Sequence, residues 1–329
     1  MRVLLALLVV TSTAAAAPPK RWIPGDVHMH VTPPDDDVDL DVAGVAKAAK
    51  ATGLEWVILT PHLWPGARNK RYTKLWQQMA RDARATRGVA LIPGIEWSTR
   101  DGHFTVAGVD VPALGEDLLA SAHGRGGFVS VNHPFAVPTR IPGVSASHYD
   151  LSYRAWSAPG KTRPAPIAGV EVWNVPLGFA NVISRPGGMT GEARAWIEAD
   201  KLARTNHQRV AAVGGTDNHK QAVMATTWVL ADRANETAVL DALRGGATCV
   251  GGPEAGTLEA RTTGAWVPIG GIVRGPTVEL RWTGTAQLFV DGKDLGERTG
   301  KFTHTTGGVP HTYRLVVGAS RCGFVYANL

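Results

Sequence analysis

Two textures of apolar and polar positions divide the chain. Up to about residue 252, continuous apolar runs alternate with stretches at helical spacing, and beyond about 257 the runs shorten and alternate with polar residues. The apolar runs at 54–60, 89–95, 127–131, 167–172 and 209–214 predict buried strands, as does the segment leading to His28, and 104–109 predicts a further strand. Between them, Val42, Val45, Ala46 and Ala49 have helical spacing, with Asp39 or Asp41 as cap and Gly53 as terminator. Further helices are predicted over 70–87, 114–123, 192–205 and 236–244. Strand and helix in alternation predict an α/β domain with a parallel sheet, open or closed, whose functional groups sit at the carboxyl ends of the strands. In the tail, the alternating runs 278–282, 286–290 and 313–317, with Asp291-Gly292 as a hairpin turn, predict a small antiparallel β module over 257–329. The Pro-, Ser- and Gly-rich segment 136–166 has little periodicity and reads either as a lid over a site or as a linker.

The first 17 residues change the picture of where this domain works. Met1-Arg2, an apolar stretch over 3–10 and a run of Thr, Ser and Ala to Ala17 form the pattern of a secretory signal peptide cleaved near Ala17. The apolar stretch is shorter than the roughly 20 residues that a membrane span needs. No later segment is long and apolar enough to span, so the expectation is a secreted or periplasmic protein without a membrane span in the mature chain. Outside the cytoplasm Cys249 and Cys322 can pair, although two buried thiols fit the spacing equally well. The net charge of +6 is spread without a basic stripe, so there is no nucleic-acid-binding motif. That balance favours anionic small molecules or simple solubility.

Candidate chemistry gathers where the predicted strands end. His28 and His30 are two residues apart, which in extended backbone puts both side chains on one face. Alone, such a pair is as readily a surface coincidence as a metal site. Downstream come Thr60-Pro61-His62, Pro93-Gly94-Ile95-Glu96, Gly102-His103, Asn132-His133-Pro134, Glu171 through Asn174, and Asp217-Asn218-His219, most of them closing an apolar run. Neutral imidazoles and ionised carboxylates on a stiff scaffold are what hydrolytic metal sites require, and a carboxylate can bridge two ions. His123, His148, His207, His304 and His311 lack this placement and read as surface or locally bonded residues. No nucleophile elbow surrounds Ser98 or Ser130, and no phosphate-cradling glycine loop is present.

Taken together, His28-x-His30, Asp35, Thr60-x-His62, Pro93-Gly-Ile-Glu96, Asn132-His133-Pro134 and Asp217-x-His219 resemble the polymerase and histidinol phosphatase (PHP) metal-dependent phosphoesterases. Val170-Glu-Val-Trp-Asn174 and the secretory signal look most like their CehA/McbA branch. The resemblance covers roughly 23–252 and implies an α/β fold, a distorted (β/α)7 barrel carrying two or three divalent ions, Zn, Mn or Fe, at its C-terminal rim. It further implies that His28, His30, Glu96 and Asp217 hold one ion, that Glu96 bridges to a second ion with His133, and that Asp35, His62 and His219 complete the coordination. Glu96 and Asp217 would then be the catalytic carboxylates. His103 would reach either the substrate or the second ion, or act as a hydrogen-bonding loop residue. This chain departs from the family at Pro61, where an Asp is usual, so His62 is expected to be less firmly oriented.

The resulting expectation is a PHP domain over 18–252 that cleaves a phosphate mono- or diester of a small anionic molecule with a metal-activated water. Arg100, Arg140, Arg185 and Lys220, in loops after ligand-bearing strands or within the candidate lid, would meet the substrate's charge, with Glu171 and Asn174 also facing it. Two alternatives are a carboxylic or carbamic ester hydrolase of the McbA type and a non-catalytic protein stiffened by metal.

Overall fold

The strand that carries the first histidines lies between two neighbours of opposite direction. In the computed structural model, which describes residues 18–35, 38–136, 152–157, 165–175, 191–219 and 227–329, β1 (Arg21–Met29) pairs in parallel with β2 (Trp56–Leu59) and antiparallel with β9 (Thr227–Ala231). A short β3 (His62–Leu63) and then β4 (Ala90–Thr99), β5 (Gly102–Ala107), β6 (Phe128–Asn132), β7 (Gly169–Asn174) and β8 (Ala211–Gly215) continue the sheet. The sheet curls into a ring. Its closure is local to the site: Met29 bridges Asn218, and Asp217 N–H donates to the His28 carbonyl at 2.8 Å.

Helices α1 (Val42–Ala51), α2 (Lys70–Ala85), α3 (Leu118–Gly124), α4 (Arg154–Ser157), α5 (Gly191–Asn206) and α6 (Glu236–Arg244) join these strands. Asp41, not Asp39, caps α1 by accepting from Gly44 N–H, and Val45, Ala46 and Ala49 form its buried stripe. The helix expected over 114–123 starts at Leu118, because Pro112 and Gly115 precede it and Asp117 supplies the cap.

The parallel sheet expected from strand–helix alternation is only partly present. Strand β5 runs antiparallel to both β4 and β6, and β9 runs antiparallel to β1. Between β4 and β5 stand only Arg100 and Asp101, and two residues can turn the chain back but cannot carry a crossover. The ring therefore departs from regular βα repetition at the β4–β5 hairpin.

The tail begins at β10 (Thr248–Val250), which pairs with β9 on one side and with β17 (Ser320–Cys322) on the other. It continues through β11 (Glu259–Arg261), β12 (Val267–Pro268), β13 (Ile272–Val273), β14 (Thr277–Val290), β15 (Lys293–Thr305), β16 (His311–Val317) and β18 (Val325–Ala327). Asp291 and Gly292, with φ of 53° and 77°, make the expected tight hairpin between β14 and β15. The runs at 278–282 and 286–290 are one strand whose register shifts between Arg281 and Thr285, around Gly284 at φ 75°. Cys249 and Cys322 face each other across β10 and β17 and are joined as a disulfide. Phe324 and Tyr326 enter the main core of the ring, where the Tyr326 hydroxyl accepts from Val210 N–H and donates to the Val210 carbonyl. The β module is thus continuous with the ring in both hydrogen bonding and core. Residues 1–17, expected to be a signal peptide, and most of the candidate lid, 137–151 and 158–164, lie outside the described residues. No helix among the described residues is long and apolar enough to cross a membrane.

Candidate metal centre

Extended backbone at the end of β1 presents His28 and His30 on one face, and both are fully buried. Each imidazole is held from behind by a carboxylate. His28 Nδ1 lies 3.1 Å from Glu171 Oε1, and His30 Nδ1 lies 3.0 Å from Asp35 Oδ2. A carboxylate acceptor keeps the proton on Nδ1 and turns Nε2 inward, the arrangement that orients metal-binding histidines. The two inward Nε2 atoms converge on Asp217 Oδ1, at 3.4 Å from His28 and 3.2 Å from His30.

Glu96, 1% exposed, stands at the middle. Its Oε1 is 3.2 Å from His28 Nε2, 3.2 Å from His103 Nδ1 and 3.3 Å from His133 Nε2, while its Oε2 is 2.8 Å from His62 Nδ1 and 3.7 Å from His30 Nε2. Strand register explains the convergence: His62 is paired with Glu96 across β3 and β4, and His103 with Asn132 across β5 and β6. His219 Nε2 approaches His62 Nε2 at 3.4 Å. Among the described residues three donor triads lie close enough to hold an ion each: His28, His30 and Glu96; Glu96, His103 and His133; and His30, His62 and His219. Imidazole nitrogens and carboxylate oxygens, buried together within reach of one point, are the donor set that a divalent cation requires. The residues present therefore fit divalent ions.

The backbone is bent to achieve this. His133 and Asp217 have φ of 29° and 49°, which side-chain-bearing residues adopt only when their surroundings hold them there. Gly215 is required by close approach, since a Cβ there would lie 2.4 Å from both Glu171 Oε1 and His28 Cβ. In β7 the register against β8 shifts between Glu171 and Trp173, leaving Trp173 exposed and Asn174 buried. Asn174 then donates to Glu171 Oε2 at 3.1 Å and to Asp217 Oδ2 at 3.0 Å.

The electrostatics follow from burial opposed by pairing. Burial pulls His28 down, but Asp217, Glu96 and Glu171 outweigh it and hold the imidazole well above its ordinary value. His30 is carried to about 9, burial being overcome by hydrogen bonds to Asp217 and Asp35. Burial pushes Glu96 up, yet His28, His103 and His133 bring it well below the usual carboxylate range, and Asp217 behaves likewise beside His28 and His30. In His103 burial wins over the attraction of Glu96, with His133 and His62 acting in the same direction, so this imidazole is lowered.

Of the expected site residues, His28, His30, His62, Glu96, His103, His133, Asp217 and His219 surround one centre. Asp35 stands behind it, using both oxygens on the His62 N–H at 3.0 and 3.1 Å as well as Oδ2 on His30. Glu171 is likewise occupied, accepting from His133 N–H at 2.6 Å. Arg100 is an exposed residue of the β4–β5 turn, and Arg140, Arg185 and Lys220 lie outside the described residues. At His62, where Pro61 stands in place of the usual Asp, Asp35 accepts from the backbone N–H and Ser98 Oγ lies 2.9 Å from Nδ1. Ser98, which lacks a nucleophile elbow, and Asn132, the first residue of the Asn132-His133-Pro134 motif, had no role assigned from sequence, yet Asn132 Nδ2 donates to Glu96 Oε1 at 2.9 Å. Their signal was position, since Ser98 is two residues from Glu96 on a strand and Asn132 immediately precedes His133. Asp26, buried and pushed up to about 7 by that burial against hydrogen bonds from Thr216 and His28, ties the start of the site to the end of β8.

No protein-family model matches the chain, and no curated protein matches it in sequence. Among solved structures it is similar to a two-domain protein from Bacteroides vulgatus containing a predicted PHP-like metal-dependent phosphoesterase, at 18% identity and a TM-score of 0.46, over 93% of this chain and 87% of that one. It is also similar to a protein from Bifidobacterium adolescentis for which metal-dependent phosphoesterase function is inferred, at 15% identity and a TM-score of 0.39, over 69% of this chain and 96% of that one. At such similarity the chemistry is defined by the side chains of this chain alone.

Proposed function

We propose that this chain is an exported metal-dependent hydrolase of the PHP kind, built on a distorted (β/α)7 barrel and cleaving a phosphate mono- or diester of a small molecule. The observation that carries this reading is Glu96, one buried carboxylate whose two oxygens face different imidazoles and which belongs to two donor triads. Eight donors exceed the four that a closed structural site needs, which argues against a merely stiffening metal. Divalent ions bound there supply Lewis acidity toward a phosphoryl or carbonyl oxygen and a nucleophile at neutral pH. His28, His30, His62, His103, His133, His219, Glu96 and Asp217 would hold them. Asp35 and Glu171 keep the Nδ1 protons of His30 and His28 in place, an orienting role in preference to that of ligand. Asn174 steadies Asp217, whose side chain is 15% exposed and so borders the accessible side of the centre. Glu171 and Asn174 fall in the segment that resembles the CehA/McbA branch, and the Cys249–Cys322 disulfide supports export.

The second reading is a carboxylic or carbamic ester hydrolase, because Glu171 and Asn174 fall in the segment that resembles the CehA/McbA branch and Lewis acidity polarises a carbonyl oxygen as well as a phosphoryl one. Activity of the purified full chain on aryl phosphodiesters, aryl phosphomonoesters, aryl acetates and aryl carbamates separates the two. Chelator-sensitive phosphate ester hydrolysis, restored by Mn²⁺ or Zn²⁺, is expected. Metal-loaded protein that cleaves only uncharged esters establishes the second reading, and metal-loaded protein that cleaves nothing overturns both.

A further inference from the structure

Where the ring meets the β module, a crevice of about 460 Å³ is lined by none of the donors of the metal centre. Its sides are Trp173 of β7, Trp196 of α5 and Phe289 of β14, and Arg314 of β16 lies within it. Arg314 is only 8% exposed. Its guanidinium carbon is 3.7 Å from the centroid of the Phe289 ring and 4.7 Å from that of Trp196. Such contacts engage the face of the guanidinium and leave its in-plane N–H groups unanswered. Nε has no hydrogen-bond partner, and among the described residues Asp200 and Asp294 act on the charge only from beyond ion-pair distance. Burial lowers the group to about 10, so it remains a cation at neutral pH. A buried cation with an unpaired donor edge is costly for a folded chain unless something else meets it.

We propose that this crevice is a binding site for an organic monoanion, whose carboxylate or similar oxyanion meets the free N–H edge of Arg314 and whose flat apolar body lies against Trp173, Trp196 and Phe289. The planar fork of arginine matches an oxyanion edge-on, and aromatic walls suit an apolar body. Arg321, more exposed, adds a second positive charge, which the half-buried Glu192 on α5, pushed up to about 7 by burial, offsets only in part. The site stands on these residues and not on the hydrolytic reading.

The probe is 3-phenylpropionate, titrated calorimetrically into the full chain before and after chelation, with neutral 3-phenylpropionamide as the contrast. Stoichiometric binding of the acid at least about tenfold tighter than the amide, unchanged by chelation, is expected. Arg314→Gln, checked by circular dichroism, should weaken the acid by about tenfold or more, and Arg314→Lys should recover only part of the loss because it keeps the charge without the fork. Should Arg314→Gln not fold, the acid–amide contrast in the native chain and a weakening in Arg321→Ala decide. Equal binding of acid and amide, loss of binding on chelation, an unaltered affinity in folded Arg314→Gln, or no binding up to millimolar probe would each overturn the proposal.

Discussion

Replacing Glu96 by Gln tests the centre at the point where its charges meet. The substitution keeps shape and removes one negative charge that lies within 3.3 Å of nitrogen atoms on His28, His62, His103 and His133. In the metal-free chain this leaves the raised imidazoles of His28 and His133 without their shared counter-charge, and breaking a buried pair in this way costs about 3–5 kcal/mol. The pH window follows from the two shifts. Glu96 is held below its ordinary 4.5, so its contribution is present above that value and lost as pH falls through the lowered one. His30 is raised from 6.5 to about 9, so its contribution is full below 6.5 and disappears as pH rises through about 9. The stability deficit of Glu96→Gln should therefore be greatest between about 4.5 and 6.5, shrink as pH passes 9, and appear in denaturant midpoints of metal-free protein. For metal, two donor triads contain Glu96 and the third, His30, His62 and His219, does not. Metal analysis should show loss of most bound ions with a residue at the third triad, and activity should fall by more than the about 10- to 100-fold expected of losing an orienting partner. Full metal content with undiminished activity would refute the assignment of Glu96 as the shared carboxylate.

Other outcomes follow from the same geometry. Because His28 and His30 are protonated at neutral pH in the metal-free chain, metal binding should release protons and its apparent affinity should rise with pH up to about 9, measured by calorimetry in buffers of different ionisation enthalpy; a pH-independent affinity would contradict it. Asp35→Asn should lower metal affinity about 10- to 100-fold while circular dichroism stays native, and an unchanged affinity would remove Asp35 from the orienting role. Reduction of Cys249–Cys322, which closes a 73-residue separation, should lower unfolding free energy by about 4 kcal/mol in denaturant titrations with and without reductant. A chain ended at 252 should fail to give soluble folded protein, because Phe324 and Tyr326 belong to the ring's core; a soluble, cooperatively melting truncation would show otherwise.

The sequence alone determined what depends on a few adjacent residues. Two-residue periodicity puts His28 and His30 on one face of β1, Asp291-Gly292 dictates a tight hairpin, and helix α6 runs from Glu236 to Arg244 as its pattern requires. Steric limits and hydrogen bonding within one or two turns suffice for each. Tertiary structure decided the partners. Glu171 reaches His28 across 143 residues, Asp35 reaches the His62 backbone across 27, and Ser98 reaches the His62 ring across 36. None of these pairs exists until the ring closes, and closure depends on register and on the β4–β5 hairpin that strand–helix alternation did not reveal. The Arg314 crevice belongs to the same class, since Trp173, Trp196, Phe289 and Arg314 come from four elements of both parts of the chain. Local pattern supplies the kinds of side chain. Which of them share a point in space, and so shift one another's charge, follows only from long-range packing that no local spacing encodes.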